Sequence, residues 1–235
     1  ELDDNDKDLW PLLECMSSVA ASIGEAFASC AVPVYDRGIR ILHNCIEQDK
    51  VANNDPSFIA PEKDFIVTSL DLIDGLVQGL TTHLGPLIVE NDSKNPFSLM
   101  ELVLTCLDDN YYDVRQSAYA LIGDCAIYLF DLLIKPYIQT LMVSIYQEIT
   151  GLNDNSIASC NNAIWSLGEI AIRSNDNLIE QYLDNFLRVL EPLIHDINAD
   201  VTLLENAAVT IGRFGINYPD KTAYVAQEVM IMWCE

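Results

Sequence analysis

Basic side chains are scarce in this sequence. Twelve Lys and Arg stand against 36 Asp and Glu in 235 residues, a formal net charge of −24. The few cations are scattered singly, so direct binding of nucleic-acid phosphates or of acidic lipid headgroups is disfavoured. Paired cysteines are missing as well. Cys15, Cys30, Cys45, Cys106, Cys125, Cys160 and Cys234 stand alone, with no CxxC and no Cys/His cluster. That pattern supports neither a disulfide framework nor a zinc site, and it fits a reducing compartment. His43, His83 and His195 share no ligand-spaced cluster with Cys or Asp, and neither a Gly-rich phosphate loop nor a nucleophile elbow is present. Asp4, Asp6 and Asp8 have an EF-hand rhythm, but Leu9 and Cys15 stand where a calcium loop needs Gly and Glu. The sequence therefore predicts no catalysis, no metal and no cofactor. It also predicts no membrane-spanning stretch, and the acidic start is no signal peptide.

Short alternating runs of the strand type are absent; half of the residues are hydrophobic and recur with a helical period. Polar or Pro-containing clusters punctuate the chain at 53–61, 90–96, 108–113, 151–155, 174–177, 196–200 and 217–221. Between them the pattern predicts about nine helices of roughly 12 to 22 residues joined by short loops. Pro11, Pro96 and Pro136 fall where a first helical turn tolerates the missing N–H.

Internal similarity sharpens this to a repeat. The strings from Val114 to Asp124, Ser159 to Glu169 and Leu204 to Arg213 resemble one another, and Gly75, Gly123, Gly168 and Gly212 occupy equivalent slots. Their intervals of roughly 44 to 48 residues match the HEAT/armadillo period. Asp113-Val114-Arg115, after an Asp-containing turn, is the way a HEAT repeat opens its second (B) helix. Glycine inside a helix costs about 1 kcal/mol relative to alanine, so four in one register call for close approach of a neighbouring helix. The expected fold is an all-α HEAT-repeat solenoid, a right-handed α-α superhelix and a fragment of a longer stack. Its expected parts are a lone B helix (1–24), helix pairs at 25–83, 84–131, 132–175 and 176–218, and a lone A helix (219–235). Neither end has the polar capping repeat of a complete solenoid, so the chain is expected to continue both ways.

B helices of such a stack line its concave side. Counting back from the shared glycine, one i, i+4, i+8 stripe reads Asn161, Trp165 and Glu169, with Ile157 one turn earlier. The same stripe reads Gln116, Ala120 and Asp124 in the preceding repeat, and Glu205, Val209 and Arg213 in the following one. Trp165 reads equally as an interface anchor or as a core residue wedged between repeats. Trp10 and Glu14 repeat the aromatic–acid pairing in the first helix, although Trp10 also reads as a hydrophobic staple beside Pro11. Asp71 and Asp74 break an apolar run, and the ordinary reading of each is a solvated carboxylate. Taken together, acids beside aromatics suit a basic, extended peptide, and a large negative field would steer one in.

Several stretches carry a family resemblance: 6–15 with Leu9-Trp10-Pro11-Leu12-Leu13-Glu14, 63–72, 113–124, 160–170 and 203–215. In this order they resemble the C-terminal half of the transportin family of nuclear import receptors, also called karyopherin beta-2 or importin beta-2. The resemblance implies binding of PY-type nuclear localisation signals, which are extended, overall basic segments ending in Pro-Tyr. It implies Trp10 at a position usually Phe, Glu14 as its acidic partner, and Asp71 as an acidic contact. It further implies Ile157 and Trp165 as an apolar pair for the signal's N-terminal epitope, and Val209 where the family usually has Ile. Asn161 and Gln116 lie on the same stripe. Partners implied are cargo proteins, often RNA-binding, with Ran-GTP and nucleoporins engaging the full-length receptor, which shuttles between cytoplasm and nucleus. In the family, Ran binds mainly N-terminal repeats, and an acidic central loop couples it to cargo release. About ten residues around 89–98 are extra relative to the family and read as a longer loop. A structural HEAT scaffold for a stable multiprotein complex fits the periodicity equally well, but not these strings.

Overall fold

The computed structural model describes residues 2–55, 57–174, 177–196 and 198–234. The side chains of residues 229 and 232–234 are outside that set, as are Pro56, Asn175, Asp176 and Ile197 from the turn clusters at 53–61, 174–177 and 196–200. The described residues form eleven α-helices and no strand: α1 (Leu9–Ile23), α2 (Ala28–Asn54), α3 (Asp64–Leu80), α4 (Gly85–Lys94), α5 (Leu99–Leu107), α6 (Tyr112–Tyr128), α7 (Ile138–Thr150), α8 (Ile157–Arg173), α9 (Glu180–His195), α10 (Val201–Asn217) and α11 (Pro219–Cys234). The chain divides within α6 into two compact units, Glu1–Asp124 and Cys125–Glu235.

The repeat is visible in the helix lengths. α3, α6, α8 and α10 each have 17 residues, and Gly75, Gly123, Gly168 and Gly212 are the twelfth residue of each. In the first unit α3 packs on both α1 and α2, burying Leu70, Leu72, Ile73, Leu76 and Val77. A side chain at Gly75 or Gly79 would overlap Ser17 or the Ala20 carbonyl of α1. That closeness lets the Ser17 hydroxyl donate to the Asp71 carbonyl at 2.7 Å. In the second unit α8 packs on α10, where a Cβ at Gly168 would lie 2.6 Å from Thr210 Oγ1. Here the Thr210 hydroxyl donates to the Ile164 carbonyl (2.9 Å), and the Asn217 amide donates to the Ala171 carbonyl at the end of α8 (2.8 Å). At Gly212 a Cβ would meet nothing within 4 Å. The close-approach reason thus holds for Gly75 and Gly168 but not for Gly212.

Four expectations need correction. Residues 89–98 are not one long loop, because Val89–Lys94 complete α4. Pro96 sits between two helices instead of in a first turn; it forces Asn95 into extended backbone (φ −109°, ψ 154°) and so ends α4. Ser98 then starts α5 with a capping box to Glu101, and Asp92 accepts from the Leu99 amide. The elbow is pinned to α2 by the stacked rings of His43 and Phe97 (3.9 Å) and by the Asn91 amide on Asp36 (2.9 Å). An elbow in place of a loop also lifts the helix count above nine. Finally, two helical runs, Leu9–Asn54 and Asp64–Lys94, are long and apolar enough by length and composition to cross a membrane. Consecutive helices joined by single 3₁₀ turns create that length, and the apolar side chains of α3 are spent on packing against α1 and α2.

Candidate functional site

Trp10 is the second residue of α1, so it lies inside the helix and not at the position before the cap that a staple requires. It is half-buried, edge-on to Phe65 of α3 (centroids 5.3 Å apart, 73° between planes), with the Lys7 ammonium 5.5 Å from its ring. Its indole N–H is buried and finds no acceptor among the described residues. One helical turn later Glu14 is exposed. Across the α1–α3 contact, Asp71 is half-buried; burial raises its carboxyl, a hydrogen bond with Ser117 opposes that, and the nearby negative charge of Glu14 adds to it. The solvated reading of Asp71 therefore fails, because the glycine-mediated helix contact draws it in. Gln116, beside Ser117 on α6, is half-buried. The first unit thus brings Glu14 and Asp71 into one field, next to Trp10 on the same short helix.

Asp74 and Asp124 form a second acidic pair that the sequence did not single out as a site. Gln78 Nε2 donates to both, at 2.8 and 3.0 Å. Burial pushes the Asp74 carboxyl well above its ordinary value, and the adjoining Asp124 pushes it further. A four-residue spacing between Asp74 and Gln78 was legible; their meeting with Asp124 was not. A cleft of about 490 Å³ between α2 and α4 shares no residue with these groups, and its cations are already matched, Arg40 to Asp4 and Lys94 to Glu90.

In the second unit, Trp165 and Val209 are both the ninth residue of adjacent packed helices, α8 and α10. Trp165 is half-buried and Val209 is 48% exposed, so Trp165 is neither a sealed core residue nor a free one. Ile157, the first residue of α8, is half-buried. The Asn161 side-chain oxygen Oδ1 accepts from the Asn206 side-chain amide of α10 at 2.8 Å, which ties the polar edge of this face to the helix stack. Glu169, next on the stripe, is not available to a partner. It is 5% exposed and held by Arg173 and Arg213, both at 2.6 Å.

These groups offer apolar rings, aliphatic side chains and carboxylates, the set that receives a polypeptide with basic and apolar side chains. Nucleophilic chemistry from the buried thiols is disfavoured: burial pushes Cys45 up to about 11, and Cys106 and Cys160 up to about 12.

The helix order and the repeated packing define an all-helical repeat solenoid. Among solved structures, the designed armadillo repeat protein YIII(Dq)4CqI superposes with a TM-score of 0.60 at 16% identity, covering 94% of this chain and 82% of its own. A computationally designed armadillo repeat protein for modular peptide recognition gives 0.59 at 17% identity. No protein-family model matches the chain. Sequence relatives are specific: Importin subunit beta-2 of Saccharomyces cerevisiae is 38% identical over 239 residues, 99% of this chain and 26% of that protein. Importin subunit beta-2 of Schizosaccharomyces pombe is 38% identical over 94% of the chain and 23% of itself, and Transportin-1 of Homo sapiens 37% over 99% and 25%. The chain spans about a quarter of these relatives' length, and over that segment it is similar to importin beta-2 and transportin along nearly all of its own residues.

Proposed function

We propose that the chain is a cargo-binding segment of a nuclear import receptor and that it takes PY-type nuclear localisation signals. The observation that carries this reading is kinship to importin beta-2 and transportin along nearly the whole chain. Support from the residues comes unit by unit. In the first, Glu14 and Asp71 share a field beside Trp10, with Gln116 on the neighbouring helix; in the second, Trp165 and Val209 hold matched positions near Ile157 and Asn161. We read α2 with α3, α4 and α5 with α6, α7 with α8, and α9 with α10 as the helix pairs, α1 and α11 being a lone B and a lone A helix. Ran-regulated release, contact with nucleoporins, and shuttling between cytoplasm and nucleus belong to the same proposal, at the level of the full-length receptor.

The test is titration of a fluorescent PY-type peptide with the parent chain and with Trp165→Ala. Binding that weakens with added salt, and at least about tenfold in the variant, supports the reading, since a central aromatic anchor is worth about 2 kcal/mol or more. Equal affinity of both proteins overturns the assigned pocket. Pull-down distinguishes the scaffold reading: one constant stoichiometric partner favours a scaffold, whereas many RNA-binding proteins released from the full-length receptor by Ran-GTP favour import.

A further inference from the structure

The three histidines share no ligand-spaced cluster with Cys or Asp along the chain, yet the fold gathers one of them into a cluster with two glutamates. Glu191 and His195 sit at i, i+4 on α9, and Glu228 comes from α11, which packs beside it. One ligand atom from each lies within 4.8 Å of the others. Glu191 is half-buried, while His195 and Glu228 are exposed and free to adjust their rotamers.

The register of the two helices shows why this place is unusual. Lys221 Nζ of α11 lies 3.1 Å from Asp184 of α9, a 37-residue offset that sets opposite charges side by side. Two turns further along, the same offset brings Glu228 to Glu191, so like charges meet. Among the described residues neither carboxylate is paired with a Lys or Arg. Burial raises the Glu191 carboxyl, the hydrogen-bonded Glu228 raises it further, and His195 opposes the rise. A carboxylate pair with one imidazole at its side is relieved either by a shared proton or by a cation. His195 is also the last residue of α9, where the helix dipole presents its negative end.

We propose that Glu191, His195 and Glu228 form a binding site for a first-row divalent transition ion, with zinc as the representative, bridging α9 and α11. One imidazole nitrogen and two carboxylate oxygens are a borderline donor set of the kind zinc accepts, and three protein ligands leave a coordination position for water. The site shares no residue with the cargo-binding set of the proposed function and does not depend on that reading.

Cobalt(II) serves as the optical probe, because bonding to the chain's cysteines would add intense thiolate-to-metal charge-transfer absorption. The parent chain is expected to bind one equivalent of Co²⁺ through nitrogen and oxygen ligands, giving weak visible bands without that absorption, and Zn²⁺ is expected to displace it. Binding is expected to tighten as pH rises, since protons compete for all three ligands. Glu191→Gln, His195→Ala and Glu228→Gln, each checked for parental helicity by circular dichroism, are expected to weaken Zn²⁺ binding by more than the ~10- to 100-fold that outer-shell changes cost. If all three helical variants bind Zn²⁺ as the parent does, or if bound Co²⁺ shows the thiolate signature alone, the proposal is overturned.

Discussion

Glu169 of α8 and Arg213 of α10 face each other across the helix stack, the guanidinium Nη2 2.6 Å from the carboxylate, while Arg173 holds the other oxygen from one turn along. Both residues belong to the stripe that the repeat pattern marks as a partner surface. Their charges are instead used within the second unit, in a chain with three acids for every base. Arg213 Nη1 is buried with no partner of its own, so the pair leaves little slack.

Removing one member should therefore cost more than an exposed ion pair would. Glu169→Ala is expected to destabilise the chain by about 3 kcal/mol, because Arg213 and Arg173 would be left part-buried and uncompensated. Urea unfolding monitored by circular dichroism measures this. A loss below about 1 kcal/mol, the scale of surface pairs, would contradict it.

Glycines in one register should respond differently to alanine. At Gly75 the new methyl meets Ser17 of α1, and at Gly168 it meets Thr210, so α1 or α10 must move away. Each is expected to destabilise by about 1–3 kcal/mol. Gly212 faces open space in a helix interior, so Gly212→Ala is expected to stabilise by roughly 0.5–1 kcal/mol. Thermal melts of the three variants should separate in sign.

The ends of α1 and α3 share one backbone geometry with different residues. Gly24 has φ 60°, ψ −134°, and Thr81 has φ 52°, ψ −129°. A β-branched residue there is strained by about 1–3 kcal/mol. Thr81→Gly is therefore expected to raise stability by around 1 kcal/mol, and Gly24→Val to lower it by at least as much. Denaturant midpoints at constant m-value would show both.

Acidity should reveal the carboxylate pair. Asp74 has a folded pKa raised above its ordinary 3.8, so the stability it contributes is full below that value and is lost as pH rises through the folded pKa. Asp74→Asn is accordingly expected to melt higher than the parent at neutral pH, with the gap closing toward pH 3.8. Asp4 works the other way: its hydrogen bond to Arg40 lowers it against burial, helped by Arg37, so its contribution is present above 3.8 and is lost as pH falls through the lowered value. Melting curves of Asp74→Asn and Asp4→Asn should therefore depart from the parent in opposite directions at neutral pH, the first higher and the second lower, and both should converge on it as the pH falls. Parallel curves for Asp74→Asn and the parent would remove Asp74 as the cause.

Sequence by itself determined the helical class, the 44- to 48-residue repeat with its glycine slot, and the kinship of the strings around Trp10, Asp113 and Asn161. These are local properties: a 3.6-residue period and a turn residue are written in neighbouring positions. Only tertiary structure decided which stripe residues are free. Trp165 and Glu169 are one turn apart on α8, yet the first stays half-exposed and the second is locked to Arg213, a residue 44 positions away. Asp71 and Asp74 looked solvated until the close α1–α3 packing and Asp124 enclosed them. Residues 89–98 read as a longer loop because they are extra relative to the family, whereas the structure completes α4 over the first of them, resumes a helix soon after Pro96 and stacks Phe97 on His43. Charge pairing and burial depend on which helix lies alongside, and no local pattern records that distance.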